Sequence, residues 1–173
     1  ANVGNGGTRG MFHMFGYLNG SGDVIIDLSN CIVPKNHPAE EHTGYMFGYS
    51  KSLTQVILPN NLKVKFISGW FINCNNLTTL DISGMDLSEC IEANNTFASC
   101  NSLTNLRCNE TAKDIKISID LGWSTKLTVT SLMSVINSLA TVSTTQTLKI
   151  GSVNKAKLSA AQIRIATNKG WTV

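Results

Sequence analysis

Two histidines bracket a pair of acids in His37-Pro-Ala-Glu-Glu-His42, the one cluster in the sequence that tempts a metal reading. A metalloprotease helix needs histidines at i and i+4 with an intervening glutamate, so that both imidazoles share one face. Here the offset is five residues and Pro38 sits inside, which favours a solvated loop. His13 stands alone between Phe12 and Met14, where an interface or half-buried imidazole is expected rather than a base. There is no Gly-x-Ser-x-Gly elbow, no Gly-x-x-x-x-Gly-Lys-Ser/Thr loop and no Cys/His arrangement with a partner. The expectation is a protein without catalysis, metal or cofactor.

The five cysteines, Cys31, Cys74, Cys90, Cys100 and Cys108, are odd in number and contain no Cys-x-x-Cys, so neither a disulfide framework nor a zinc knuckle follows. Reduced, buried thiols are expected. Of 173 residues only 14 are Lys or Arg and 11 Asp or Glu, whereas 18 are Asn, 17 Ser and 17 Thr, so neutral groups carry the polarity. Residues 1–108 hold six basic and eight acidic side chains, and residues 109–173 hold eight and three. The second-half cations (Lys113, Lys116, Lys126, Lys149, Lys155, Lys157, Arg164 and Lys169) are scattered singly without an aromatic platform, which argues against nucleic acid. No stretch approaches the ~18 apolar residues of a membrane span. The opening Ala-Asn-Val-Gly-Asn-Gly-Gly lacks the regions of a signal peptide, so a soluble chain is expected, with any export signal already removed.

Internal repetition is the strongest signal. Met46-Phe-Gly-Tyr-Ser-Lys-Ser-Leu-Thr-Gln-Val-Ile-Leu58, Trp70-Phe-Ile-Asn-Cys-Asn-Asn-Leu-Thr-Thr-Leu-Asp-Ile82 and Thr96-Phe-Ala-Ser-Cys-Asn-Ser-Leu-Thr-Asn-Leu-Arg-Cys108 superimpose. A weaker copy, Met14 to Leu28, aligns if two residues are inserted in its Gly-rich turn. In each full copy the last residues alternate: Leu80 and Ile82 against Thr79 and Asp81, the period of a strand with one buried face. Stacking the copies predicts one interior ladder of Leu58, Ile82 and Cys108 and another of Phe47, Phe71 and Phe97. Each phenyl buried is worth roughly 1.5–3 kcal/mol.

The pattern Trp70-Phe-x-x-Cys74-x-x-Leu77-Thr-x-Leu80-x-Ile82-Ser83 resembles the BspA-like leucine-rich-repeat surface proteins of bacteria. Residues 96–108 match nearly as well, and 46–58 match with Ser50 in the Cys place. The inserted turn after Phe15 and the long loop from Ile32 to Thr43 depart from the pattern. The resemblance implies an α/β chain forming a right-handed leucine-rich-repeat solenoid, with parallel strands on one face and irregular or short helical returns. It also implies an extracellular or cell-surface protein that binds a protein or glycan, with a spacer or display domain of a larger surface or phage tail protein as the alternative. A monomer is expected.

Cys74 and Cys100 share one place in adjacent copies, about one strand spacing (~4.8 Å) apart. A disulfide is geometrically allowed there. Ser50 in the same place one copy earlier favours a small buried side chain instead. Asn76-Leu-Thr, Asn94-Asn-Thr and Asn109-Glu-Thr are sequons that read as turn asparagines.

The repeats occupy residues 10–110 of a single domain spanning 1–173, and residues 109–173 are expected to form a contiguous cap that covers the open apolar end. Ile115, Ile117, Ile119 and Leu121 alternate with polar residues as a strand, and Leu132, Val135, Ile136 and Leu139 predict a helix over 131–140. Residues 147–151 return as a strand. Ser159 and Gln162 form a capping box opening a second helix, Gly170 ends it, and 171–173 make a last short strand. The outward strand positions are the candidate binding face: Gln55, Thr79, Asp81, Asn105, Arg107, Ser118, Asp120 and Lys149, with Ile57 among them. Asp81 and Arg107 are expected to pair across strands.

Overall fold

The structure is a computed structural model that describes residues 14–34, 39 and 43–173. His13, His37 and His42 lie outside the described residues. The chain is mixed α/β with low helix content, and all strand pairs among the described residues are parallel. Four short strands, β1 (Val24–Asp27), β2 (Leu53–Ile57), β3 (Thr79–Asp81) and β4 (Asn105–Arg107), form one sheet in chain order. Register follows the sequence repeat, with Gln55 opposite Thr79 and Thr79 opposite Asn105. Inward Val56, Leu80 and Leu106 are buried, as are Leu58, Ile82 and Cys108 just beyond the strands.

The turn before each strand is built alike. Phe15, Phe47, Phe71 and Phe97 stack face to face, with centroids 5.4, 5.1 and 6.1 Å apart and planes within 9° of parallel. The residue two before the ring takes a left-handed φ in three copies (Tyr45 56°, Gly69 65°, Asn95 55°). The residue two after it does so in four (Tyr17 61°, Tyr49 63°, Asn73 57°, Ser99 60°). Only at Gly69 is the side chain absent, and there a Cβ would meet the Tyr45 ring at 2.6 Å. These turns bond from copy to copy: the N–H of Phe15 donates to Met46 O at 2.8 Å, that of Phe47 to Trp70 O at 2.9 Å, and that of Phe71 to Thr96 O at 3.0 Å.

The small side chain three positions after the ring closes a second ladder. Ser50 Oγ donates to Phe15 O at 2.9 Å, Cys74 Sγ to Phe47 O at 3.2 Å and Cys100 Sγ to Phe71 O at 3.0 Å. Cys74 and Cys100 are therefore unbridged thiols that satisfy buried carbonyls. Threonines make a third ladder, with the N–H of Thr78 donating to Thr54 O, that of Thr104 to Thr78 O, and that of Thr128 to Thr104 O.

That last bond exposes a copy the sequence pattern hides. Leu121-Gly-Trp-Ser-Thr-Lys-Leu-Thr128 repeats the turn of residues 97–104, with Leu121 in the ring's place, and the N–H groups of Ser124 and Leu127 bond as those of Cys100 and Leu103 do. The chain then enters the helix α1 (Val129–Ser138), N-capped by Thr128, instead of a strand. It starts two residues before the predicted helix and lies along β4, where Ser131 Oγ accepts from the N–H of Leu106 at 3.0 Å and Ser134 Oγ from that of Cys108 at 3.1 Å. Two hydroxyls three residues apart thus take the place of the next strand's carbonyls and cover the sheet edge.

The remainder forms a second sheet, β5 (Ile119–Asp120), β6 (Gln146–Lys149) and β7 (Trp171–Thr172), in that order. The strand predicted over 115–121 shrinks to β5, because Asp114 turns inward at its start to accept the Leu87 N–H at 2.7 Å and Ile115 pairs singly with Leu139. The one-turn helix α2 (Gly151–Lys155) has no counterpart in the sequence pattern. The predicted capping box opens α3 (Ala160–Thr167) with both reciprocal bonds, and Gly170 follows at φ 90°. Lys169 Nζ reaches back to cap α1, donating to the carbonyls of Ile136, Asn137 and Leu139 at 2.8–3.0 Å.

Candidate functional site

Outward side chains of the first sheet line up in two rows because parallel pairing holds each copy in register. One row runs Ile25, Gln55, Thr79, Asn105, and the other Asp27, Ile57, Asp81, Arg107. Asn105 and Arg107 are exposed, Gln55, Thr79, Ile57 and Asp81 are half-buried, and Ile25 stands exposed on β1. The expected cross-strand pair is present, with Arg107 Nη1 3.2 Å from Asp81 Oδ2. Asp81 is pinned from its other oxygen, which accepts from the Ser83 N–H at 2.9 Å and Ser83 Oγ at 2.6 Å. Asp27 repeats this turn with the Ser29 N–H, and hydrogen bonding to Ser29 holds its carboxyl below the ordinary range.

Ser118, Asp120 and Lys149 do not continue this face. They belong to the β5–β6–β7 sheet or its approach, which is separate from the β1–β2–β3–β4 sheet. The expectation of one continuous strip fails because α1, not β5, occupies the edge of β4. Within their own sheet they are paired: Lys149 Nζ to Asp120 Oδ2 at 2.7 Å, and Ser118 Oγ to Gln146 Oε1 at 2.9 Å. Exposed ion pairs of this kind contribute at most about 1 kcal/mol, so their main effect is to neutralise both faces.

The buried thiols are chemically quiet. Burial pushes Cys74 up to about 12 and Cys90 up to about 11, and raises Cys100 and Cys108 well above the ordinary thiol range. Cys31 is exposed. No group of three or more His, Cys, Asp or Glu side chains among the described residues is placed to hold a metal ion. No helix among them is long and apolar enough to cross a membrane.

Sequence reasoning about the strands passed over the exposed aromatics, which sit on turns. Tyr17 is 60% and Trp123 55% exposed, and Tyr17 stacks on Tyr49 with centroids 5.3 Å apart. The available signal was positional: each lies two residues after a member of the ring ladder or, for Trp123, after Leu121. No protein-family model matches the chain, and comparison with curated proteins and with solved structures finds no significant match.

Proposed function

We propose that the chain is a non-catalytic binding module, a right-handed leucine-rich-repeat solenoid of the kind carried on bacterial cell surfaces, which takes a protein or glycan partner on its repeated outer surface. The observation that carries this reading is the phenyl stack with its register-locked parallel strands, which presents equivalent outward positions at regular intervals. The neutral Asn, Ser and Thr surface suits extracellular display, and the chain acts as a monomer. Binding to an array of matrix proteins and glycans tests it: saturable binding to at least one is expected, and none across the array contradicts it.

The pairing of Asp81 with Arg107 and of Asp120 with Lys149 favours one rival, a spacer or display domain of a larger surface or phage tail protein. On that reading the domain supplies length only, and no substitution on its outer surface changes any partner's affinity.

A further inference from the structure

Two positions after Phe15, Phe47, Phe71, Phe97 and Leu121 comes the series Tyr17, Tyr49, Asn73, Ser99 and Trp123, exposed at its two ends and half-buried at its three middle members. Bonds from the N–H of Tyr17 to Gly48 O (3.1 Å), of Tyr49 to Ile72 O (2.7 Å) and of Asn73 to Ala98 O (2.8 Å) hold the first four members in register. The Thr128 N–H bond to Thr104 O keeps the last copy beside the fourth, so at ~4.8 Å per copy Trp123 is expected about 15 Å beyond Tyr49. The Tyr17 and Tyr49 rings stack within 7° of parallel, so a stacked pair of phenol rings lies at one end of the series and an indole at the other.

We infer that this ridge is the partner-binding surface of the module proposed above, and that it recognises a neutral, extended polysaccharide. The inference rests on that proposal and supplies its partner class. Tyr and Trp offer flat, rigid apolar area at small entropic cost, while Asn and Ser offer adaptable hydrogen bonds. A pyranose ring needs both: its C–H face stacks on an aromatic, and its equatorial hydroxyls need amide and hydroxyl partners. The monomer advance of an extended glycan is comparable with one strand spacing, so successive sugars meet successive ridge positions.

Two features set other partners aside. At Tyr17, Tyr49 and Asn73 the backbone N–H is spent on the neighbouring copy, which leaves no row of donors for an added peptide strand. None of the five positions carries a charge, whereas an anionic chain would need Lys or Arg there. On the strand face, by contrast, Asp81 and Arg107 are committed to each other.

Isothermal titration of the full chain with cellohexaose and chitohexaose, with a heparin hexasaccharide as the charged control, tests this. Saturable binding to a neutral hexasaccharide is expected, weakened about ten-fold or more by Tyr17→Ala and by Trp123→Ala and changed less than about two-fold by Arg107→Ala. Both aromatic side chains are exposed, and circular dichroism of each variant checks that its fold is kept. Loss of binding in Arg107→Ala with the two aromatic variants unaffected overturns the ridge assignment while leaving the binding module standing. Failure of both neutral hexasaccharides, or salt-sensitive binding to heparin alone, overturns the polysaccharide assignment. The array of matrix proteins and glycans then judges the module itself.

Discussion

Phe47 and Phe71 lie face to face, their ring centroids 5.1 Å apart and their planes 6° from parallel, although 24 residues separate them in the chain. Both are fully buried, and Phe71 is also in contact with Phe97 and Trp70. Phe71→Ala removes a ring from the middle of the stack and is expected to cost about 3–5 kcal/mol, with Phe71→Leu costing less. Denaturant unfolding measures both, and an alanine variant within about 1 kcal/mol of the unsubstituted chain contradicts the stack's role in stability.

Thiol labelling separates the cysteines. The thiolate is the reactive form, and burial holds Cys74, Cys90, Cys100 and Cys108 protonated at neutral pH. One thiol, that of Cys31, is expected to react rapidly with an aromatic disulfide reagent in the native protein, and all five after unfolding. Rapid reaction of two or more native thiols contradicts the burial.

Much of this was legible in the sequence because residue types repeat: the Phe ladder, the Cys/Ser place and the strand register follow from copies that can be superimposed by eye. The copy at Leu121 to Thr128 was not, since Leu stands in for Phe and a helix replaces the strand that should come next. Sheet partnership was also hidden. Alternation identifies Ser118, Asp120 and Lys149 as outward strand residues but not which strand lies beside theirs, and that depended on Ser131 and Ser134 capping β4. The short helix α2 lacks both an apolar period and a side-chain cap, so nothing in Gly151-Ser-Val-Asn-Lys155 announced it.

Those two serines make the next test. Ser131→Ala and Ser134→Ala each leave a buried N–H, of Leu106 or Cys108, without an acceptor, and each is expected to cost about 1–3 kcal/mol in thermal or denaturant unfolding. The double variant also opens the β4 edge and is expected to associate in size-exclusion chromatography. Stability and elution unchanged in the double variant contradict the capping role.

Asp114 supplies a pH signature. The residue is 7% exposed, and burial, with the nearby Asp86 carboxylate adding to it, raises its pKa. An acid that holds its proton more tightly when folded carries no ionisation penalty below its unfolded pKa, and the penalty grows as pH rises toward the folded value. Asp114→Asn keeps an oxygen to accept the Leu87 N–H and removes the charge. Its stability relative to the unsubstituted chain is expected to increase as pH rises from about 3, through the ordinary aspartate range, toward neutrality. A relative stability that falls over this range contradicts the assignment.

The most direct test of the stacked architecture is a double-mutant cycle on Phe47 and Phe71, each replaced by Leu and the two replaced together, read by denaturant unfolding. Rings in face-to-face contact predict a coupling of about 0.5–1.5 kcal/mol. Strictly additive single costs would place the two side chains in separate environments and contradict the stack.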